Sequence, residues 1–272
     1  MTVTVGCLQL AGVIAFAVAG LAREHRRQRW AVAGATLIVV GVIAEALTTV
    51  AAHAARLDEP LVVLAVEYLA TTHAGRLAAA GGLLAPVIAA LGVIAQRRLQ
   101  LPSMMIAAIF LGSVALLIGL RAAAGHAMHA PAGPEWAVPL QIAHVLCAVV
   151  WAGLVASLIA EIWAPAVLSA RLARAGAPAS LLVLGIAVSG PALAWAHGLR
   201  AEGLLDGPYG LLVLAKSALF LVALALAGLN RWRLVHAHAN PGATSALLVS
   251  EGVVIVVVLA LAAWLASAPP PH

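Results

Sequence analysis

The sequence predicts an all-α polytopic membrane protein, a bundle of eight transmembrane helices, and three observations carry that prediction. Hydrophobic residues make up 64% of the 272 and charged residues only 9%, against about 25% charged in soluble globular chains. Aromatic residues are scarce at 4% while Ala, Gly, Leu and Val dominate, which suits helices packed through small residues rather than a barrel of short alternating strands. Apolar runs recur at the length of about 20 residues needed to cross roughly 30 Å of hydrocarbon.

Those runs are expected near 2–22, 31–53, 74–96, 103–122, 137–162, 179–197, 209–229 and 245–267. The first has no basic segment before it and positive charge after it, so it reads as a retained helix rather than a cleaved signal peptide. Between the second and third runs, residues 57–72 hold Asp58, Glu59, Pro60 and Glu67. They are too short and too polar for a crossing, and an interfacial amphipathic helix is expected. The segment from Arg121 to Trp136, with Pro131, Gly133 and Pro134, reads as a sizeable loop.

A gap-free match at an offset of 135 pairs Gly75 with Gly210, Arg98 with Arg233 and Leu99 with Leu234. It is what two parallel four-helix halves would produce. The expected division is residues 1–122 and 123–272, forming one integral membrane unit.

A net charge of +5 and a pI near 10.2 would suit nucleic acid only if the basic residues formed a stripe. Instead they fall in short connections, which is a topology signal. Arg23, Arg26, Arg27, Arg29, Arg97, Arg98, Arg171, Arg174, Arg231 and Arg233 share one side; Arg56, Arg76, Arg121 and Arg200 lie on the other. The positive-inside rule makes the first set cytoplasmic and both termini periplasmic. Cys7 and Cys147 lie inside apolar runs, so no secreted disulfide framework is expected.

Seven of the ten histidines fall on or near the predicted outer side: His53, His73, His126, His129, His144, His197 and His272. His25, His236 and His238 fall inside. His144 lies within the fifth span, where an imidazole requires a partner. His144, Cys147 and Trp151 stand at i, i+3 and i+7, one helical face. Imidazole with soft sulfur suits copper, Cu(I) in particular. The plainer alternative makes Cys147 a small core residue and His144 the donor of one interhelical hydrogen bond. Upstream, Gly125-His126-Ala127-Met128-His129 flanks a thioether with two imidazoles, a pattern able to capture either copper oxidation state. A solvated loop with incidental histidines is the alternative there.

Lys216 and Glu45 stand in apolar spans at similar predicted depth, and each is expected to face the bundle interior, where they can neutralise one another. Glu251 lies near the depth of Asn230 and reads as a structural clamp or an inner relay point. Tryptophans at span ends read as interfacial anchors. No Gly-x-x-x-x-Gly-Lys-[Ser/Thr] phosphate loop occurs, which excludes ATP-driven pumping by this chain alone. Only Met1, Met104, Met105 and Met128 carry thioethers, too few for a ladder through the membrane.

At these residues the back half resembles the copper resistance protein D (CopD) family of bacterial inner-membrane proteins. The matching stretches are Gly125-His126; His144 followed by Trp151-Ala152-Gly153-Leu154; Tyr209-Gly210 followed by Lys216; Asn230-Arg231-Trp232-Arg233-Leu234; Glu251; and Pro269-Pro270-Pro271. Their order extends over roughly residues 125–271; the front half matches only through Thr72, Gly75 and Arg76. The resemblance implies an eight-helix protein of the bacterial inner membrane that handles copper, often with a periplasmic copper-binding partner of the CopC type. By position it points to His126, His144, Lys216, Asn230 and Glu251. Leu154 stands where a second glycine is usual, and Leu211 where a basic residue is common. The second departure puts a charged outer gate in doubt.

The expectation that follows is a copper transporter, not an enzyme, working by uptake through a His/Cys/Met site near the periplasmic face. Its metal ligands are sought among His53, His73, His126, Met128, His129, His144, Cys147 and His197, with Lys216, Glu45, Glu251 and Asn230 as polar relays. A b-type haem protein with bis-His ligation, moving electrons or reducing Cu(II), is a second reading. A membrane scaffold for a periplasmic copper chaperone is a third.

Overall fold

A computed structural model describes residues 3–21, 24–54, 60–99, 101–200, 204–205, 207–235 and 241–265, with side chains at 3–6, 24–25, 52–54, 126, 208, 234–235 and 241 also outside the description. The described residues form α1 (Val3–Leu21), α2 (Glu24–Ala54), α3 (Leu61–Thr71), α4 (His73–Arg97), α5 (Ser103–Ala124), a 3₁₀ turn (His126–His129), α6 (Pro134–Ile159), α7 (Pro165–Ala196), α8 (Pro208–Val235) and α9 (Pro241–Leu265), with no strand among them. The protein is an all-α, multi-pass membrane protein.

Among the described residues seven helices, α2 and α4 to α9, are long and apolar enough to cross a membrane; α1 contributes a shorter apolar stretch, Cys7–Leu21. The termini, with His272, and the segment holding His236 and His238 lie outside the described residues. Helix α3 occupies the segment expected to be interfacial, yet it is not divided into an apolar and a charged face. Leu64 and Ala65 are buried while Val62, Val63 and Val66 are exposed, so apolar side chains point both ways.

Two helices run further than expected. Helices α2 and α7 have 31 and 32 residues, about 46 and 48 Å at a rise of ~1.5 Å per residue, well beyond the hydrocarbon thickness. Arg26, Arg27, Arg29, Arg171 and Arg174 therefore ride on helical extensions, not in the connections where they were expected. The reason is local: the arginine guanidinium groups find carbonyl partners there, and α7 stays helical through Gly176 and Pro178. Arg27 donates to Ala19 O at 3.1 Å and Arg171 to Leu21 O at 3.0 Å, both at the C-terminus of α1. Arg26 donates to Ala160 O at the end of α6. The last carbonyls of a helix lack intrahelical partners and carry partial negative charge, so cations satisfy them.

Among the described residues the buried core has two main clusters. One, around Phe16, Ile106 and Phe110, joins α1, α2, α4 and α5 and reaches α6 through Val149. The other, around Trp151, Val155, Leu248 and Ile255, joins α6 to α9. Phe16 and Phe110 stack at 6.0 Å between ring centroids. Small residues bring the backbones together: side chains at Gly12 and Gly34 would collide with the facing helix, so α1 and α2 touch nearly backbone to backbone. Most remaining large apolar side chains, such as Leu83, Leu181 and Val256, are exposed and face the lipid.

Candidate functional site

Two polar nodes are buried among these helices, both toward the end that carries the 3₁₀ turn. The first is built on α6. Its N-terminus is set by Gly133 in a positive-φ conformation followed by Pro134 at the first helical position. Ten residues on, roughly 15 Å along the axis, His144 is buried against α7.

His144 Nδ1 lies 3.0 Å from Ser189 Oγ, and Ser189 Oγ donates to Gly185 O at 2.5 Å. Because the serine proton is directed at Gly185, Oγ presents a lone pair to the ring. The Ile186 carbonyl also faces His144. The Ser189 acceptor places the imidazole proton on Nδ1 and leaves the lone pair on Nε2. Lys216 Nζ, on α8, stands 3.4 Å from Nε2 and donates to it. A directional chain results, from Lys216 through His144 and Ser189 to the α7 backbone.

Small residues of α7 make room for this. A side chain at Gly190 would crowd the His144 ring, and one at Gly185 would strike Cys147 Sγ. Cys147 thus shares the His144 face, as the spacing required, but its thiol lies on bare helix backbone; Cys7 and Cys147 are both free thiols. Trp151, the third member of that face, packs edge-on against Phe220 of α8 at 5.9 Å.

The second node contains Glu45. Arg121 Nη1 lies 2.9 Å from both carboxylate oxygens, Gln9 Nε2 donates to Oε2 at 2.7 Å, and Tyr68 OH donates to Oε1 at 3.4 Å. Four helices, α1, α2, α3 and α5, meet on one carboxylate. The expected Glu45–Lys216 pairing is therefore corrected. Arg121 reaches Glu45 from α5 with its guanidinium, whereas Lys216 lies on His144. Burial first, then the neighbouring Glu45 charge, holds the Tyr68 phenol above its ordinary pKa.

Among the other expected residues, His197 is the C-cap of α7. Helix α7 ends in a Schellman motif: Leu199 N donates to Ala194 O at 3.0 Å and Gly198 N to Trp195 O at 2.9 Å. Gly198 takes φ 87°, the left-handed conformation that glycine tolerates. His197 Nδ1 sits 2.9 Å from Leu193 O, a donor position that leaves Nε2 with the lone pair. The 3₁₀ turn packs on this same corner, because Ala127 and Ala130 bury against Ala137 and Ala196. Ala132 N donates to Ala196 O at 3.3 Å. Met128 and His129 remain exposed on the turn, and the side chain of His126 lies outside the described residues.

His73 is exposed at the start of α4, and the side chain of His53 lies outside the described residues. Glu251 and Asn230 are both buried, but no hydrogen bond joins them, and Asn230 Oδ1 has no partner among the described residues. No group of three His, Cys, Asp or Glu able to hold a metal ion occurs among the described residues. Apart from His53, the expected ligands are thus split: the 3₁₀ turn with His197, then His144 and Cys147 deeper, and His73 on the α4 side. Sequence reasoning missed Ser189, Gln9, Tyr68 and Arg121 as partners. Arg121 offered a signal, being a charge in the last turn of an apolar span.

Fold and site together define a multi-pass membrane protein with a buried Lys–His–Ser chain. Residues 168–265 match the family model of copper resistance protein D, CopD. The matched stretch contains Ser189, Lys216, Asn230 and Glu251, while Gly125-His126 and His144 precede it. No curated protein and no solved structure matches the chain.

Proposed function

We propose that this protein transports copper across the bacterial inner membrane, taking it up at the end of the bundle where the 3₁₀ turn lies. The observation that carries this reading is the packing of that turn, with Met128 and His129 exposed, onto the corner capped by His197. A thioether and imidazoles there offer soft and borderline ligands suited to copper in either oxidation state. His126 belongs to the same turn and is assigned the same role.

His144 is the next ligand inward. Its Nε2 lone pair is held by Lys216, so the ammonium has to swing aside before a cation can bind; Lys216 is the gate. Ser189 keeps the ring oriented, as hydrogen-bonded partners of ligating histidines do. Cys147, half-buried with its sulfur against Gly185 of α7, is the soft ligand beside His144. An inside-negative potential favours inward movement of a cation by about 2.3 kcal/mol per 100 mV, so uptake needs no nucleotide hydrolysis. A periplasmic CopC-type protein delivering copper would dock at the same end.

Copper accumulation in cells expressing His144→Ala or the double variant Met128→Ala/His129→Ala tests the route. Both are expected to accumulate less copper than wild type at equal membrane expression. Wild-type accumulation in both would sink it. An absorption spectrum of the purified protein addresses the haem reading: a strong haem band would replace transport with electron transfer.

A further inference from the structure

We infer that Glu251 is a proton-binding site within the bundle, a neutral carboxylic acid that holds one exchangeable proton. Among the described residues three glutamates are buried, Glu45, Glu161 and Glu251, none more than 5% exposed. Two of them face a guanidinium: Arg121 Nη1 lies 2.9 Å from Glu45 and Arg171 Nη1 lies 3.5 Å from Glu161. No hydrogen bond or ion pair reaches the Glu251 carboxyl among the described residues.

Its surroundings are apolar. Glu251 is the only charged residue of α9. Leu248 and Ile255, one turn to either side on the same face, belong to the core cluster with Trp151, Val155 and Leu158 of α6 and Ala223 of α8. A side chain at the adjoining Gly252 would strike Ile159 Cδ1, which sets this part of α9 against the last turns of α6.

The helices packed on α9 are α1, α6 and α8. Helix α1 has no charged residue and one thiol, Cys7. On α6 the titratable groups are Glu135, His144 and Cys147, two or more turns before Val155, and Glu161 follows the helix with Arg171 of α7 upon it. Helix α8 has Tyr209, Lys216, Arg231 and Arg233. Lys216 is directed at His144, Arg231 packs at Gly176 of α7, and Arg233 stands in the last turn. No cation among these is paired with Glu251.

A carboxylate shut away from water, with neither counter-charge nor hydrogen bond, is far costlier than the same group carrying its proton. The proton therefore stays until water or a cation arrives beside the carboxyl. Glu251 can then release one positive charge as another enters, an exchange that does not depend on which cation the protein moves.

Infrared spectroscopy of the full chain in liposomes, with pH as the only variable, tests this. Wild type at neutral pH is expected to show the carbonyl stretch of a protonated carboxylic acid, shifted by exchange into heavy water and lost reversibly as pH rises. Glu251→Gln should remove that band, Glu251→Asp should shift it, and Glu45→Gln and Glu161→Gln should leave it in place. The Asp variant and the wild-type spectrum decide the matter if the Gln variant does not fold. A band that survives in Glu251→Gln, that heavy water never moves, or that is absent from wild type overturns the proposal. So does a metal ion released from purified wild type but absent from Glu251→Gln.

Discussion

The two buried polar nodes differ in how completely their charge is answered. Glu45 receives hydrogen bonds from Arg121, Gln9 and Tyr68, drawn from three neighbouring helices. His144 is a neutral ring between a hydroxyl and the Lys216 ammonium, and no carboxylate pairs with that ammonium among the described residues. A compensated carboxylate is a fastening, since moving any of its helices breaks a charged contact in a medium that cannot replace it. A lysine resting on an imidazole lone pair is displaceable. The same bundle therefore holds a compensated node around Glu45 and a displaceable one around His144.

The largest expected effect is on the fastening. Glu45→Ala takes the buried carboxylate away from Arg121, which is 36% exposed, and from Gln9 and Tyr68, and should cost about 2 kcal/mol, read as a lowered melting temperature of purified protein. Lys216→Met should cost less than about 1 kcal/mol, since a long apolar side chain fills the same space. If the second substitution proved as damaging as the first, the distinction between the nodes would vanish.

The yielding node predicts the opposite ranking for function. Lys216→Met frees His144 Nε2 and should tighten copper binding by about tenfold, the scale of changes around a ligating histidine. Equilibrium titration of the purified protein measures it, and weaker binding would show that Lys216 assists capture instead of blocking it. Ser189→Ala removes the Nδ1 partner and should cost about 1 kcal/mol in stability while weakening copper capture several-fold. Unchanged capture would mean that the Ile186 carbonyl alone orients the ring.

Tyr68→Phe gives the smallest effect, about 1 kcal/mol for one hydrogen bond. Its pH dependence is directional. The folded-state pKa is raised, so the contribution of the phenol is complete below the ordinary tyrosine pKa near 10 and is lost as pH rises through the folded value. Wild type should lose stability in strong alkali more steeply than the variant, as unfolding curves across that range would show.

The helices were legible because hydrocarbon imposes length and composition on every crossing. The limits of α2 and α7 were not, because their arginine-bearing turns continue as helix wherever guanidinium groups find carbonyls of α1 and α6. Within the site, the face shared by His144, Cys147 and Trp151 followed from helical spacing. What those side chains touch did not: that Cys147 meets Gly185 and His144 meets Ser189 depends on which helix α6 packs against.

One chain of 272 residues with 9% charge determines by itself that it lives in a membrane and which few polar groups must find partners. Only the tertiary structure decided the partners, giving Glu45 to Arg121 and leaving Lys216 on His144. The physical reason is that hydrophobic patterning sets which residues enter the bilayer, while a buried charge is satisfied by whichever polar atom helix packing brings within about 3 Å.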